Sequence, residues 1–136
     1  MTDPTPETRS VVVERELPHP PEKLWRALTQ PHLIADWLMQ NDFLPRVGHR
    51  FELRGEWGSV SCEVLEIEPH RILIYSWCAM GLESIVTFTL APAGAGTHLR
   101  VEQRGFRPDQ EQAYRGAAFG WQRFLGNLEQ VLQRPD

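Results

Sequence analysis

Between Asp109 and Gln133, the residues Tyr114, Ala117, Ala118, Trp121, Phe124, Leu125, Leu128 and Leu132 fall on one stripe at about 100° per residue. The spacing predicts a single long amphipathic helix, with Asp109 and Gln112 placed as a capping box at its start. Gly116, Gly120 and Gly126 each cost about 1 kcal/mol relative to alanine inside a helix. Each large apolar side chain that becomes fully buried contributes about 1.5–3 kcal/mol, so the stripe outweighs the glycines once something covers it. The rest of the chain must therefore supply a broad apolar surface.

That surface is predicted as a set of short strands. Segments 50–55, 60–68, 71–78, 83–90 and 97–104 are separated by "GEWG", "PH", "AMGL" and "APAGAG", each short enough for a hairpin. Consecutive hairpins make an antiparallel meander. Phe51 and Leu53, then Val86, Phe88 and Leu90, then Leu99 and Val101 share the inward parity, while Glu52, Arg54, His98, Arg100 and Glu102 face outward. Residues 71–78 are apolar on both parities, as in a strand covered on both sides or lying next to the end of a sheet. A further strand, "RSVVVEREL" over residues 9–17, puts Val11, Val13 and Leu17 on one side. About six strands against one long helix define an α+β fold. Residues 1–8 are expected to be a frayed tail, and 9–136 a single domain.

The stretch "PPEKLWRALTQPHLIADWLMQ" lies between the first strand and the meander. Pro20 and Pro21 can open a helix, because a first-turn N–H has no partner to lose, and Leu24, Trp25 and Leu28 give it an apolar side. Pro31 disfavours helical geometry at Gln30 and so separates a second short helix carrying Leu33, Ile34, Trp37 and Leu38. Two short helices meet in an elbow at Gln30.

Length mismatch then matters. A helix of about 25 residues is roughly 37 Å long, whereas strands of about eight residues span roughly 26 Å. The helix must cross the sheet obliquely, and a twisted sheet cannot touch a straight rod along its whole length. Small residues (Gly116, Ala117, Ala118, Gly120) occupy the first half of the helix, so a void is expected there. The alternative is that they let helix and sheet approach closely with no void.

The order strand, two short helices, antiparallel sheet, long C-terminal helix resembles the helix-grip fold of the START-like (SRPBCC) superfamily. More narrowly, "PPEKLWRALTQPHLIADWL", "VLEIEPHRILIYSW", "GTHLRVEQRGF" and "GWQRFLGNLEQVL" are similar to motifs of the family of activator of heat-shock-protein-90 ATPase homologue-like domains. The chain carries Cys62 and Leu38 where that family's pattern has glycine and an aromatic residue. The resemblance implies a curved sheet wrapped around the C-terminal helix, with a hydrophobic cavity between them that binds small apolar or aromatic molecules. In some relatives it implies chaperone binding or polyketide cyclisation instead.

Composition narrows the partners. The 14 Lys and Arg residues are scattered and the net charge is −4, so the footprint that a phosphate backbone needs is missing and no nucleic-acid partner is expected. With no apolar leader and no run of about 18 apolar residues, neither a secretion signal nor a membrane span is read, and a cytoplasmic location is expected. The five histidines are spread over turns and an outward parity, so no metal or other cofactor is expected. Cys62 and Cys78 are the two cysteines. If the intervening turn pairs residues whose numbers sum to 139, Cys62 lies opposite Trp77 and Cys78 points to the other face, which forbids a disulfide.

Trp37, Phe43, Phe51, Trp77, Phe88, Trp121 and Phe124 are the candidate walls of a ligand site, with a core role as the alternative. Trp37 is placed at the cavity mouth. Arg15, Glu66 and Gln103 share parity with buried neighbours, and if buried they must be paired. Gln103 and Tyr75 are the candidate polar handles for a ligand. The favoured reading is a non-catalytic binder of a small hydrophobic ligand. The alternatives are a module that regulates a chaperone ATPase and a cyclase-like enzyme with Glu66, Tyr75 or His49 as proton donors. Phe119 falls opposite the buried stripe, so the chain is expected to be a monomer or a weak homodimer touching there.

Overall fold

The computed structural model describes residues 8–135, so all but the last residue of the expected tail lies outside the described residues. Strand β1 (Arg9–Leu17) leads into helices α1 (Pro21–Thr29) and α2 (Pro31–Trp37). Then come β2 (Gln40–Asn41), β3 (Arg50–Gly55), β4 (Gly58–Glu68), β5 (Ile72–Ala79), β6 (Leu82–Ala93), β7 (Gly96–Phe106) and α3 (Glu111–Leu132). The strands form one antiparallel sheet in the order β1-β7-β6-β5-β4-β3-β2. Hairpins join β3 through β7, and β1 returns to the free edge of β7, pairing Val13 with Val101 and Leu17 with Thr97. The fold is α+β, of the helix-grip type.

One strand was not legible as such. β2 has two residues, pairing Gln40 with Arg54 and Asn41 with Leu53. The Asn41 side chain pins it: Nδ2 donates to the carbonyls of Pro31 (3.1 Å) and Met39 (3.0 Å), and Oδ1 accepts from the Phe43 N–H (3.1 Å). So short an element has no hydrophobic period to read.

The β4–β5 hairpin pairs Val64 with Tyr75 and Ser61 with Cys78, which is the expected register, but nearer the turn it pairs Glu66 with Ile74. A bulge between Val64 and Glu66 absorbs one residue. Glu66, expected to share the inward face of Val64, is therefore exposed. Both cysteines are free thiols; Cys62 is buried, and burial pushes its thiol well above the ordinary range.

Pro31 organises the elbow. Its ring keeps Gln30 extended (φ −95°, ψ 121°), so Gln30 ends α1 and begins α2. The Gln30 N–H donates to Arg26 (2.9 Å), while its carbonyl accepts from Leu33 (3.0 Å) and Ile34 (2.9 Å). Proline has no N–H, so the Ala27 carbonyl, four residues back, lacks its helical donor. The Trp37 indole Nε1–H supplies one, at 2.8 Å. Leu24, Ala27, Leu28, Ile34 and Trp37 are buried, and the elbow closes one end of the core.

Helix α3 begins at Glu111, and the capping box expected from Asp109 and Gln112 is not formed. Asp109 instead faces Arg107 (3.3 Å), and Gln110 Oε1 accepts from the Arg107 N–H (2.9 Å). The first turn is tied to β1: Arg9 hydrogen-bonds Glu111 and its guanidinium lies 4.0 Å from the centre of the Tyr114 ring. Arg115 Nε donates to the other Glu111 oxygen at 3.0 Å. The Arg9 hydrogen bond, helped by Arg115, holds the Glu111 carboxyl below its ordinary 4.5. A carboxylate so depressed stabilises the fold above its unfolded pKa, and that contribution is lost as pH falls through the folded value. An NMR titration of the Glu111 carboxyl carbon is expected to give a midpoint below 4.5, and Arg9→Ala is expected to raise it. An unchanged midpoint in that variant would break the assignment.

Candidate ligand-binding cavity

A cavity of about 430 Å³ opens between the first half of α3 and the sheet. Ala113, Gly116, Ala117 and Gly120 form its helical side; Trp77 and Ala79 of β5, Leu82 of β6 and Gln103 of β7 form its sheet side. Of the two outcomes left open by the small residues, the structure adopts the void. Helix α3 lies closest to β1 and the elbow, and its glycine- and alanine-bearing turns leave uncovered the space that larger side chains would fill. Trp121 separates the cavity from the core, with its ring 5.5 Å from Trp77 and 5.9 Å from Phe88. Phe124 completes this end, 5.7 Å from Trp121. The volume lies within the range of about 300–1,000 Å³ that small-molecule sites occupy.

Gln103 is 2% exposed and is the polar residue of the floor. An indole N–H can only donate, so the atom facing it must be the amide oxygen. Trp121 Nε1–H donates to Gln103 Oε1 at 2.7 Å, which leaves Gln103 Nε2 to donate to Ser84 Oγ at 2.9 Å. Ser84 in turn donates to the Trp77 carbonyl at 2.7 Å. This chain of buried bonds fixes the Trp121 indole to β7 and, through Ser84, to the backbone of β5. No titratable side chain lies among the described residues that line the cavity.

The mouth is made by Met39, Trp57, Met80 and Gln110. Met80 is 87% exposed and sits at the first central position of the β5–β6 turn, where it and Gly81 both have positive φ (49° and 83°), as a two-residue hairpin of this type requires. Gln110 Nε2 donates to the Gly81 carbonyl (3.2 Å), tying that turn to the start of α3. Trp57, 53% exposed at the tip of the β3–β4 hairpin, folds back over Gly55. A Cβ on Gly55 would stand 2.8 Å from Trp57 Nε1 and 3.5 Å from Met39 Sδ. Gly55→Ala is therefore expected to swing Trp57 off the mouth and red-shift its emission while the fold persists, since the obstructing atom belongs to a movable side chain. Emission identical to wild type would show that Trp57 is not seated there.

Of the residues singled out in the sequence, Trp77, Gln103, Trp121 and Phe124 line this cavity. Phe43, Phe51, Tyr75, Phe88 and Trp37 pack behind it as a continuous aromatic cluster. Ring centres lie 5.1 Å apart for Phe43 and Phe51, 5.2 Å for Phe51 and Tyr75, 5.6 Å for Tyr75 and Phe88, and 6.3 Å for Trp37 and Phe88. Trp37 is 2% exposed and braces the elbow instead of standing at the mouth. Met39, Trp57 and Met80 escaped notice because they occupy links between elements. For Trp57 and Met80 the signal was present all the same, as large apolar residues in "GEWG" and "AMGL", where turns usually carry polar ones.

None of the three proposed proton donors lines the cavity. Glu66 is exposed beyond the bulge; His49 stacks on Phe51 (6.2 Å, 2° between planes) with Nε2 2.9 Å from the Asp42 carbonyl. Tyr75 is buried, and desolvation raises its phenol well above the ordinary range. Arg15 is half-buried and reaches Gln122 on α3 with Nη2. Phe119 is 73% exposed on the outer face of α3.

A curved antiparallel sheet gripping a C-terminal helix, with an apolar cavity between them, defines a START-like domain of the SRPBCC type. Residues 18–133 match the family described as activator of Hsp90 ATPase homolog 1-like protein, and the chain belongs to that family. Its structure is similar to that of MLL2253 from Mesorhizobium loti, at 59% identity and a TM-score of 0.91 over 94% of this chain and 99% of that one. It is also similar to CalU16 from Micromonospora echinospora, at 28% identity and a TM-score of 0.81, covering 93% of this chain and 77% of that one. DynU16, a protein of the dynemicin biosynthetic locus, is 26% identical with a TM-score of 0.82, covering 91% of this chain and 47% of DynU16. No curated protein matches the sequence. Among the described residues, no helix is long and apolar enough to cross a membrane.

Proposed function

We propose that this domain binds a small hydrophobic or aromatic ligand, without catalysing its conversion, in the cavity between α3 and the sheet. The observation that carries the reading is a space of about 430 Å³ walled by Trp77, Trp121 and Phe124, with no titratable side chain among the described lining residues. Apolar walls with a few fixed polar groups are what small-molecule sites have in common. General acid–base chemistry needs a donor or acceptor within hydrogen-bond reach of the reacting proton, and the wall offers none that titrates near neutral pH. Membership of a START-like family and similarity to proteins such as CalU16 support ligand binding in general. Titrating a panel of uncharged aromatics while following tryptophan fluorescence and the indole N–H resonances tests the reading. Saturable shifts at Trp77 and Trp121 are expected. Shifts confined to Trp25, which lies beside His70 at the far end of the molecule, would place any binding elsewhere.

A further inference from the structure

The β5–β6 turn holds a residue that its backbone does not favour. Met80 takes the first central position with φ 49°, in the left-handed region where glycine, asparagine and aspartate are at home and other side chains are strained. Burial would compensate a methionine in such a place, yet Met80 is 87% exposed and gains almost none. Strain of this kind clusters at ligand clamps and switch regions. What the side chain does have is position, since it lines the mouth of the cavity together with Met39 and Trp57. Met39 is 8% exposed, with its sulfur packed beside the space above Gly55 that Trp57 covers. Two thioethers thus stand at one opening, one in water and one packed away.

We infer that Met80 is a modification site, oxidised by hydroperoxides to the sulfoxide, and that its oxidation weakens the hold of the cavity on an apolar ligand. The second half of the inference rests on the ligand-binding reading above; the first stands on exposure alone. In the step itself a lone pair of the Met80 sulfur attacks one peroxide oxygen, an S–O bond forms and the O–O bond breaks. The sulfur gives up two electrons and the peroxide is reduced, leaving as water, or as an alcohol from an organic hydroperoxide. The product replaces a flexible apolar side chain with a strongly polar one. At the mouth the sulfoxide oxygen keeps its water, so the side chain no longer offers the ligand a dry apolar contact. A leucine at position 80 would supply the same apolarity but not this chemistry, and the thioether is the difference between the two. Met39 is shielded from the same reagent by its burial, so the response belongs to one of the two sulfurs.

Hydrogen peroxide at about pH 5 is the reagent, because the thiols of Cys62 and Cys78 are then protonated and slow, whereas a thioether has no proton to lose. Peptide mass spectrometry follows the gain of one oxygen atom at each methionine, and Met80 is expected to react at least about tenfold faster than Met39. The singly oxidised protein is then titrated at neutral pH with N-phenyl-1-naphthylamine, an uncharged fluorescent probe. It is expected to bind the probe about fivefold more weakly than the untreated protein, and a methionine sulfoxide reductase with a thiol reductant is expected to restore the affinity. Met80→Leu, whose side chain is exposed and leaves the core untouched, is expected to bind like the untreated wild type before and after peroxide. Met39 reacting as fast as Met80, an unchanged affinity after oxidation of Met80, or an equal loss in peroxide-treated Met80→Leu each overturns the inference and leaves the ligand-binding reading intact. Failure of the untreated protein to bind the probe up to its solubility overturns that reading and the coupling with it.

Discussion

Replacing Trp37 with alanine is expected to destabilise the protein by about 3–5 kcal/mol, the usual range for removing a large aromatic side chain from a core. The side chain is 2% exposed and its ring meets Phe88 edge-on at 6.3 Å. It also carries out a repair that the sequence makes necessary. In a continuous helix the Ala27 carbonyl would accept from the N–H of residue 31, but residue 31 is proline, and the Trp37 indole N–H donates in its place at 2.8 Å. Trp37→Phe keeps most of the ring and abandons the carbonyl, so it is expected to cost about 1–3 kcal/mol. Urea denaturation followed by far-UV circular dichroism separates the two variants. Should Trp37→Ala leave the midpoint unmoved while weakening ligand binding, Trp37 would belong to the cavity wall and not to the brace of the elbow.

The second large effect is on binding rather than stability. Ala117→Phe places a phenyl ring in the cavity from the helical side, where Gly116 and Gly120 leave open space. Inserting bulk into a packed core costs about 1–3 kcal/mol through forced rotamers, but here the space already exists, so the urea midpoint is expected to stay close to wild type. Affinity for aromatic probes is expected to fall by at least about a hundredfold, near 2.8 kcal/mol, because ring and probe compete for one volume of about 430 Å³. Retained binding with a retained fold would move the ligand site away from α3. Taken together, the two variants separate the role of the elbow, which is to close the core, from that of the first half of α3, which is to leave it open.

Much of this architecture is legible in the sequence because its determinants are local. Pro31 forces the extended Gln30 and hence two helices; alternation gives the inward face of β6 and β7; the apolar stripe gives α3 with its buried Trp121, Leu125, Leu128 and Leu132. Where a local rule has two solutions, reading the sequence falters. Asp109 and Gln112 have capping-box spacing, yet Asp109 finds Arg107 closer at hand. Glu66 shares parity with Val64 only until the bulge intervenes, and a bulge leaves no mark in an alternation of so few residues. The site follows the same division. Trp77, Gln103, Trp121 and Phe124 could be named from parity and helical phase, whereas Met39, Trp57 and Met80 come to the mouth because three separate links converge in space.

By itself, then, the chain determines its elements, their inward faces, and the excess of helix length over strand length that makes full contact impossible. Only the tertiary structure decides which aromatics face empty space and which face one another. Phe43, Phe51, Tyr75, Phe88 and Trp37 have the same hydrophobic credentials as Trp77, Trp121 and Phe124, and no periodicity distinguishes them. The distinction comes from where α3 lies against the sheet. Its large residues pack down near β1 and the elbow, its glycines and alanines stand over β5 to β7, and the direction of every hydrogen bond to Gln103 follows from the tryptophan brought beside it.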